Sequence, residues 1–145
     1  MRKSILLSLV LFIALGVGFT SSWSEDMAMV KQQTPSGIPY VYGGVGEDSQ
    51  KAMEGIRIDY NFRLTAARPC SGAYLADIKV VVENTESHEN VIDVVSGGPL
   101  FFAQLPDGKY KVTADFEGVL QNKTITIHKN RPRGVVFYFA EQEEL

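Results

Sequence analysis

The sequence predicts a mainly β protein, a seven-stranded antiparallel β-sandwich with one short N-terminal helix. Pro106-Asp107-Gly108 predicts a turn, because proline presets φ, aspartate bonds nearby backbone and glycine takes a positive φ without penalty. The residues after this turn alternate strictly, and the apolar set on one face is Tyr110, Val112, Ala114 and Phe116. Similar short segments recur at regular spacing between turn signals, which is typical of a β-sandwich.

Residues 1–24 are predicted to be a cleavable signal peptide. Two basic residues precede an apolar run over 5–19, and a segment over 20–24 that is small apart from Trp23 precedes two acids. This order is typical of a secretory signal that is cut after Ser22 or Ser24. An uncleaved anchor is the alternative, but the run is short of the about 20 residues that a membrane span needs. We therefore expect a periplasmic or secreted protein that keeps no stable membrane anchor after cleavage.

The charge of the chain limits its partners. The full chain carries 14 basic and 17 acidic side chains, and the signal segment removes two bases and no acids, which leaves a net charge of −5. A mildly acidic chain without a basic cluster argues against nucleic acid and against anionic membrane surfaces. The roughly 120 remaining residues suffice for one domain with one core.

Cys70 is the single cysteine, so no internal disulfide can form. A lone thiol in a secreted chain is either a small buried apolar group or an intermolecular partner. The neighbours of Cys70 are turn formers and include no pair of basic or histidine side chains that would activate a thiolate. We therefore expect a buried, structurally incidental cysteine.

The chain before the sandwich has two parts. Residues 25–36 are polar and aperiodic and predict a flexible leader. Residues 37–60 contain an extended aromatic stretch over 38–42, a glycine-rich loop over 43–46 and a helix from Glu47 to about residue 58. Acids in the first turn suit the positive end of the helix dipole. The apolar side chains at helical spacing are Met53, Ile56 and Tyr60.

Residues 61–140 are predicted to form the β-sandwich, and residues 141–145 an acidic tail. The stretch 100–105 is apolar on both faces, as a central strand would be. The seven predicted strands are 61–67, 75–84, 90–96, 100–105, 109–117, 121–128 and 135–140.

The segment 105–112 (LPDGKYKV) resembles the Leu-Pro-x-Gly-x-Tyr-x-Val pattern of the carboxypeptidase regulatory-like domains, which are small prealbumin-like (transthyretin-related) β-sandwiches. Secreted bacterial proteins that carry this domain as almost their whole mature chain are similar over 43–47 and 71–77. The resemblance covers residues 37–140 and implies an immunoglobulin/prealbumin-like sandwich. It also implies that Tyr110 is a tyrosine corner, whose phenol bonds nearby backbone. The implied structural motif is Leu105, Pro106, Gly108 and Tyr110.

This sequence lacks the functional residues of the better-known proteins of this type. Transthyretin-related hydrolases use several histidines, an arginine and a C-terminal Tyr-Arg-Gly-Ser, whereas this sequence has His88 and His128 and ends in Glu-Glu-Leu. Starch-binding relatives stack sugars on tryptophans, whereas Trp23 lies in the predicted signal peptide. Glu86 and Glu89 flank His88, but a structural zinc site needs three or four converging ligands, which favours a solvated loop. No catalytic residue, cofactor or metal is expected, and the protein is predicted not to be an enzyme.

A ligand or partner surface is predicted at aromatic and glycine residues, namely Tyr40, Tyr42, Gly43, Gly44 and Tyr74. The loop over 43–46 lacks the Lys-Ser or Lys-Thr of a phosphate loop, and acids follow it, so a flexible helix entry is favoured over phosphate binding. Arg63 in one predicted strand, and Asp77 and Lys79 in the next, place mixed charge on the outward face. Such mixed charge usually serves only to prevent aggregation of strand edges.

These observations favour a non-enzymatic module that binds or supports an extracytoplasmic partner, either an envelope protein or a glycan. The alternative is a small-ligand domain for carbohydrate in which tyrosines replace tryptophan. A hydrolase ranks third.

Overall fold

The computed structural model describes residues 29–142, so the predicted signal peptide lies outside the described residues. The described part is mainly β, as predicted, but it contains nine strands rather than seven. A 3₁₀ turn, Arg57–Asp59, follows the α-helix. The elements are β1 Met29–Gln33, β2 Pro39–Gly43, α1 Glu47–Ile56, β3 Phe62–Ala67, β4 Ile78–Asn84, β5 Asn90–Ser96, β6 Leu100–Ala103, β7 Gly108–Phe116, β8 Val119–Ile127 and β9 Arg133–Tyr138.

The strands form a five-stranded sheet in the order β1-β2-β6-β3-β9 and a four-stranded sheet in the order β5-β4-β7-β8. The prediction of a wholly antiparallel fold is wrong at one place, because β3 and β9 pair in parallel. The apolar stretch over 100–105 contributes β6, which is central as predicted. Inward side chains of both sheets, among them Phe62, Phe101, Val80 and Val112, form one buried cluster. The two sheets therefore share one hydrophobic core.

The two additional strands lie in the N-terminal segment. The prediction of a flexible leader over 25–36 is wrong from Met29 onward, since β1 pairs with β2 from Met29↔Gly43 to Gln33↔Pro39. All side chains of β1 after Met29 are exposed, so the strand has no apolar alternation and depends on backbone pairing. The extended stretch over 38–42 corresponds to β2.

Helix α1 lies on the outer face of the five-stranded sheet. It ends at Ile56, two residues earlier than predicted. Met53 is fully buried and packs in a second apolar cluster with Val41, Leu100 and Phe102. The helix therefore covers β2 and β6, whereas on the outer face of β3 and β9 the side chains of Arg63, Thr65 and Val136 stay partly exposed.

The Pro-Asp-Gly turn differs in detail from its prediction. The Tyr110 hydroxyl donates a hydrogen bond of 2.7 Å to the Pro106 carbonyl oxygen, so the predicted phenol-to-backbone bond is confirmed. Gly108 does not adopt a positive φ. A Cβ there would lie 3.5 Å from the Tyr110 ring, an ordinary contact distance. The Asp107 carboxylate does not bond its own turn but accepts the Lys129 N–H at 3.0 Å.

A buried polar group lies next to this turn. Asn61, only 2% exposed, donates to the Leu105 carbonyl at 2.7 Å and accepts the Leu105 N–H at 2.8 Å. It also donates to the Asn130 side-chain oxygen at 2.9 Å, and the Gln104 side chain accepts the Asn61 N–H at 3.1 Å. We call Asn61, Gln104, Leu105, Asp107 and Asn130 the Asn61 cluster. It joins the start of β3 to the β6–β7 and β8–β9 connections.

Side chains of β8 cover the free edge of β9. Lys123 donates to the Val136 carbonyl at 2.6 Å, and Gln121 donates to the Tyr138 carbonyl at 2.7 Å. Two carbonyl groups on the edge that would invite pairing with another strand are thereby hydrogen-bonded.

Cys70 lies in the turn after β3 with a φ of 66° and is exposed. The prediction of a buried cysteine is therefore wrong. The turn places Cys70 on the surface, so its side chain does not reach the hydrophobic core.

Candidate functional site

The partly exposed outer face of β3 is the candidate site. Along β3 the side chains of Phe62, Leu64 and Ala66 enter the shared core. Because side chains alternate across a strand, Arg63, Thr65 and Ala67 face outward. Each of these three has register partners on both sides, which creates three rows on the same face. The rows are Phe102–Arg63–Gly134, Leu100–Thr65–Val136 and Tyr74–Ala67–Tyr138. We call these nine residues the three-row strip.

Arg63 occupies the centre of the first row. Its Nε atom is buried and has no hydrogen-bond partner, and no hydrogen bond or ion pair within residues 29–142 involves its guanidinium. Burial lowers the pKa of Arg63, the neighbouring Arg57 lowers it further, and Glu54 opposes both. Glu54 is engaged by Arg57, with an N–O distance of 3.5 Å. Arg63 is therefore a partly buried cation without a hydrogen-bond partner, and it shares the nearby Glu54 charge with Arg57.

A groove of about 300 Å³ runs beside Arg63. Glu54 and Arg57 form its wall on the helix side, and Arg63, Thr65 and Tyr74 contribute to its lining. A second depression of about 400 Å³ continues along α1 and shares Glu54, Tyr74 and Leu100 with the first. Small-molecule sites begin at about 300 Å³, so the groove has the size of a site for a small ligand.

Gly134 keeps the β9 side of Arg63 open, because glycine places no side chain beside the guanidinium. A Cβ at Gly134 would meet only the Arg63 carbonyl oxygen, at 3.9 Å. The opposite neighbour, Phe102, is buried beneath α1. A ligand would therefore approach Arg63 from the β9 side of the strip.

Two half-exposed tyrosines flank the third row. Tyr74 is 48% exposed and Tyr138 is 53% exposed, whereas Ala67 between them is only 4% exposed. Both tyrosines are register partners of Ala67, and neighbouring strands lie about 4.8 Å apart, so their Cα atoms are roughly 10 Å apart. The two rings face different depressions, since Tyr74 lines the groove beside Arg63 and Tyr138 lines a separate one with Pro69, Cys70 and Gly72.

The structure does not bring the predicted surface residues together. Tyr40 is only 6% exposed, stacks on Phe101 with ring centroids 5.6 Å apart, and donates to Gln32. Tyr42 is partly buried against the same core. Tyr74 alone lies on the outer face of the five-stranded sheet.

The predicted glycine residues have structural positions. Gly43 is buried in β2. Gly44 is buried with a φ of +96°, and its N–H donates to the Ser49 hydroxyl at 2.7 Å. A Cβ at Gly44 would lie 2.9 Å from the Leu100 side chain. The first half of the loop, Gly43 and Gly44, is therefore packed, whereas Val45 and Gly46 are exposed.

Sequence reasoning missed Arg63 and Tyr138 as members of one site. The outward position of Arg63 can be predicted from the β3 alternation. Its lack of a partner, and the position of Tyr138 beside Ala67, depend on the parallel pairing of β3 with β9.

Other candidate chemistry is sparse within residues 29–142. The His88 imidazole lies 3.1 Å from the Glu83 carboxylate on the surface. No group of three or more histidine, cysteine or acidic residues in this part of the chain could hold a metal ion. Within the same range, no helix combines the length and the apolar content that a bilayer crossing requires.

The fold and the strip define a mainly β protein of two sheets with a partly exposed, cationic and aromatic face. Neither a protein-family model nor a curated protein matches the chain. The chain's own residues are therefore the basis for any functional assignment.

Proposed function

We propose that the chain is a secreted, non-enzymatic module whose three-row strip binds an extracytoplasmic partner. The observation that carries this proposal is Arg63, a partly buried guanidinium without a partner in the described residues, on a sheet face with two half-exposed tyrosines. An unpaired, partly desolvated charge costs stability, and a bound ligand would compensate that cost.

The residues of the groove support binding rather than catalysis. Arg63, Thr65 and Tyr74 offer charge, a hydroxyl and an aromatic surface. The one carboxylate of the groove, on Glu54, is paired with Arg57. These groups can hold a ligand, but they do not place an acid–base pair beside a nucleophile.

The finer fold and the family belong to the same proposal. The Tyr110–Pro106 bond and the pattern over 105–112 support an immunoglobulin/prealbumin-like sandwich of the carboxypeptidase regulatory-like type. The basic, apolar and small-residue order over 1–24 supports export through a cleavable signal.

Export is tested by expressing the full chain with a C-terminal tag in a Gram-negative host. We expect a periplasmic form that begins near residue 25, as read by mass spectrometry. A soluble cytoplasmic form that retains Met1 would contradict the proposal.

Binding is tested with the purified exported protein on two fractions of the source envelope, one of proteins and one of polysaccharides. We expect retention on one fraction to be lost in the double variant Tyr74→Ser/Tyr138→Ser. Val95→Ser is the control, since Val95 is 58% exposed on the four-stranded sheet. Equal retention of all three proteins, or no retention of the wild type, would refute a binding role for the strip.

A further inference from the structure

We infer that the three-row strip binds a glycan that contains an acidic sugar, with the sugar carboxylate at Arg63 and a neighbouring neutral ring against Tyr138. This inference rests on the proposed binding role and names the chemistry of the ligand. Its three supports are the unpaired guanidinium, the half-exposed Tyr138 and the distance between the two.

The guanidinium selects an anion. Arg63 has a buried Nε without a partner and an open side next to Gly134. A guanidinium pairs with a planar carboxylate through two parallel hydrogen bonds. Arg57 adds positive charge nearby. The carboxylate of Glu54 is ion-paired with Arg57.

Tyr138 selects a ring with polar edges. It leaves about half of its surface accessible beside the small Ala67. Tyrosine combines an apolar face with a hydroxyl that forms hydrogen bonds, which suits a sugar ring whose faces are apolar and whose rim carries hydroxyls. The Thr65 hydroxyl lies between the two ends of the strip.

The spacing requires a chain of sugars rather than one sugar. Arg63 and Ala67 are four residues apart along β3, a distance of roughly 13 Å at the usual rise of a strand. The carboxylate and the stacked ring therefore belong to different units of one oligosaccharide. A nucleic-acid strand does not fit, because it presents a phosphate at every step while the strip offers one unpaired cation.

The test is titration calorimetry of the exported protein with uronic-acid oligosaccharides built on glucuronic, galacturonic or mannuronic acid. Each is compared with its carboxyl-reduced form, in which the carboxylate is replaced by a primary alcohol. We expect at least one acidic form to bind about tenfold or more tighter than its reduced form, as a charged hydrogen-bond pair provides. Added salt should weaken the acidic form only.

Variants separate the roles of the two ends. Arg63→Gln should abolish the preference for the acidic form, whereas Tyr138→Ala should weaken both forms by the same factor. Lys111→Gln, an exposed change on β7, is the matched charge control and should alter neither. Unchanged melting temperatures show that each variant is folded.

Equal affinity for acidic and reduced forms, a preference that survives Arg63→Gln, or no binding of any probe would overturn the inference. If no probe binds but the tyrosine-dependent retention on envelope proteins remains, the strip is a protein-binding surface. In that case the proposed function stands and the glycan inference fails.

Discussion

Asn61 and Arg63 lie two residues apart at the start of β3, and their environments are opposite. The Asn61 side chain makes three hydrogen bonds within the Asn61 cluster. The Arg63 guanidinium makes none within the described residues. Both are polar groups with restricted access to water, where an unmade hydrogen bond is costly. The contrast separates a polar group that stabilises the fold from one that the fold leaves available for a ligand.

Tyr110 lies at the Asn61 end of the molecule and should give the largest loss of stability. Tyr110→Ala removes a ring that is 1% exposed, and we expect the free energy of unfolding to fall by about 3–5 kcal/mol. Tyr110→Phe keeps the ring but leaves the Pro106 carbonyl without its partner, which should cost about 1–3 kcal/mol. Urea denaturation measures both. The control Lys111→Ala should change stability by no more than about 0.5 kcal/mol.

Equal urea midpoints for Tyr110→Phe and wild type would show that the bond to Pro106 contributes nothing. A tolerated Tyr110→Ala would contradict the inward position of the β7 face.

Tyr110 should also make the fold sensitive to alkali. Burial raises the pKa of Tyr110, and the nearby Asp107 raises it further. A raised folded-state pKa means that the unfolded chain loses its proton first. Stability is therefore full below the ordinary tyrosine pKa of about 10 and falls as the pH rises through the folded-state value. Denaturation between pH 8 and 11 should show a smaller alkaline loss for Tyr110→Phe than for wild type. The same slope in both proteins would exclude Tyr110 as the source.

Asn61→Ala should give the next largest effect. It leaves the Leu105 N–H and carbonyl buried without partners, and we expect a loss of about 3 kcal/mol. Asn122→Ala, on the exposed part of β8, is the control and should stay within about 0.5 kcal/mol. If the two variants unfold at the same urea concentration, the Asn61 cluster does not stabilise the fold. Asn61 and Arg63 would then not differ in their contribution to stability.

Arg63→Leu should have a small effect of the opposite sign. It removes an unpaired, partly buried charge, so stability should stay unchanged or rise by about 1 kcal/mol. Arg133→Leu is the matched control, because the Arg133 guanidinium donates to the Thr126 carbonyl at 3.2 Å. That change should cost about 0.5–1 kcal/mol. A loss of several kcal/mol in Arg63→Leu would mean that Arg63 has a structural role.

Cys70→Ser should give the smallest effect. The side chain is exposed in a turn, so we expect a change within about 0.5 kcal/mol and the same oligomeric state. Non-reducing electrophoresis and gel filtration check this. A dimer that disappears with reductant and is absent from the variant would make Cys70 an intermolecular partner.

The four-stranded sheet and the core could largely be predicted from the sequence. In β4 and β7 a buried residue follows at every second position, because one face of each strand lies in the shared core. Strand β1 could not be predicted in this way. With four of its five side chains exposed, its pairing with β2 leaves no periodic trace.

The candidate site was less accessible to prediction. Tyr40 and Tyr42 are predicted as surface residues because they are aromatic. Side chains alternate along β2, however, so both tyrosines lie on the inner face and Val41 lies under α1. The third row depends on two pairings of Ala67 with distant residues, Tyr74 and Tyr138. Local sequence specifies which face a residue occupies, but not which strand lies beside it.

The parallel pairing of β3 with β9 has a consequence for the order of folding. Residue 62 pairs with residue 133, a separation of 71 positions, whereas the β4–β5 and β7–β8 hairpins join neighbours in sequence. A distant pairing must overcome loop-closure entropy before it gains contacts, so it forms late. We expect the hairpins of the four-stranded sheet to form first. Until β9 is synthesised, one edge of β3 stays unpaired and is open to aggregation.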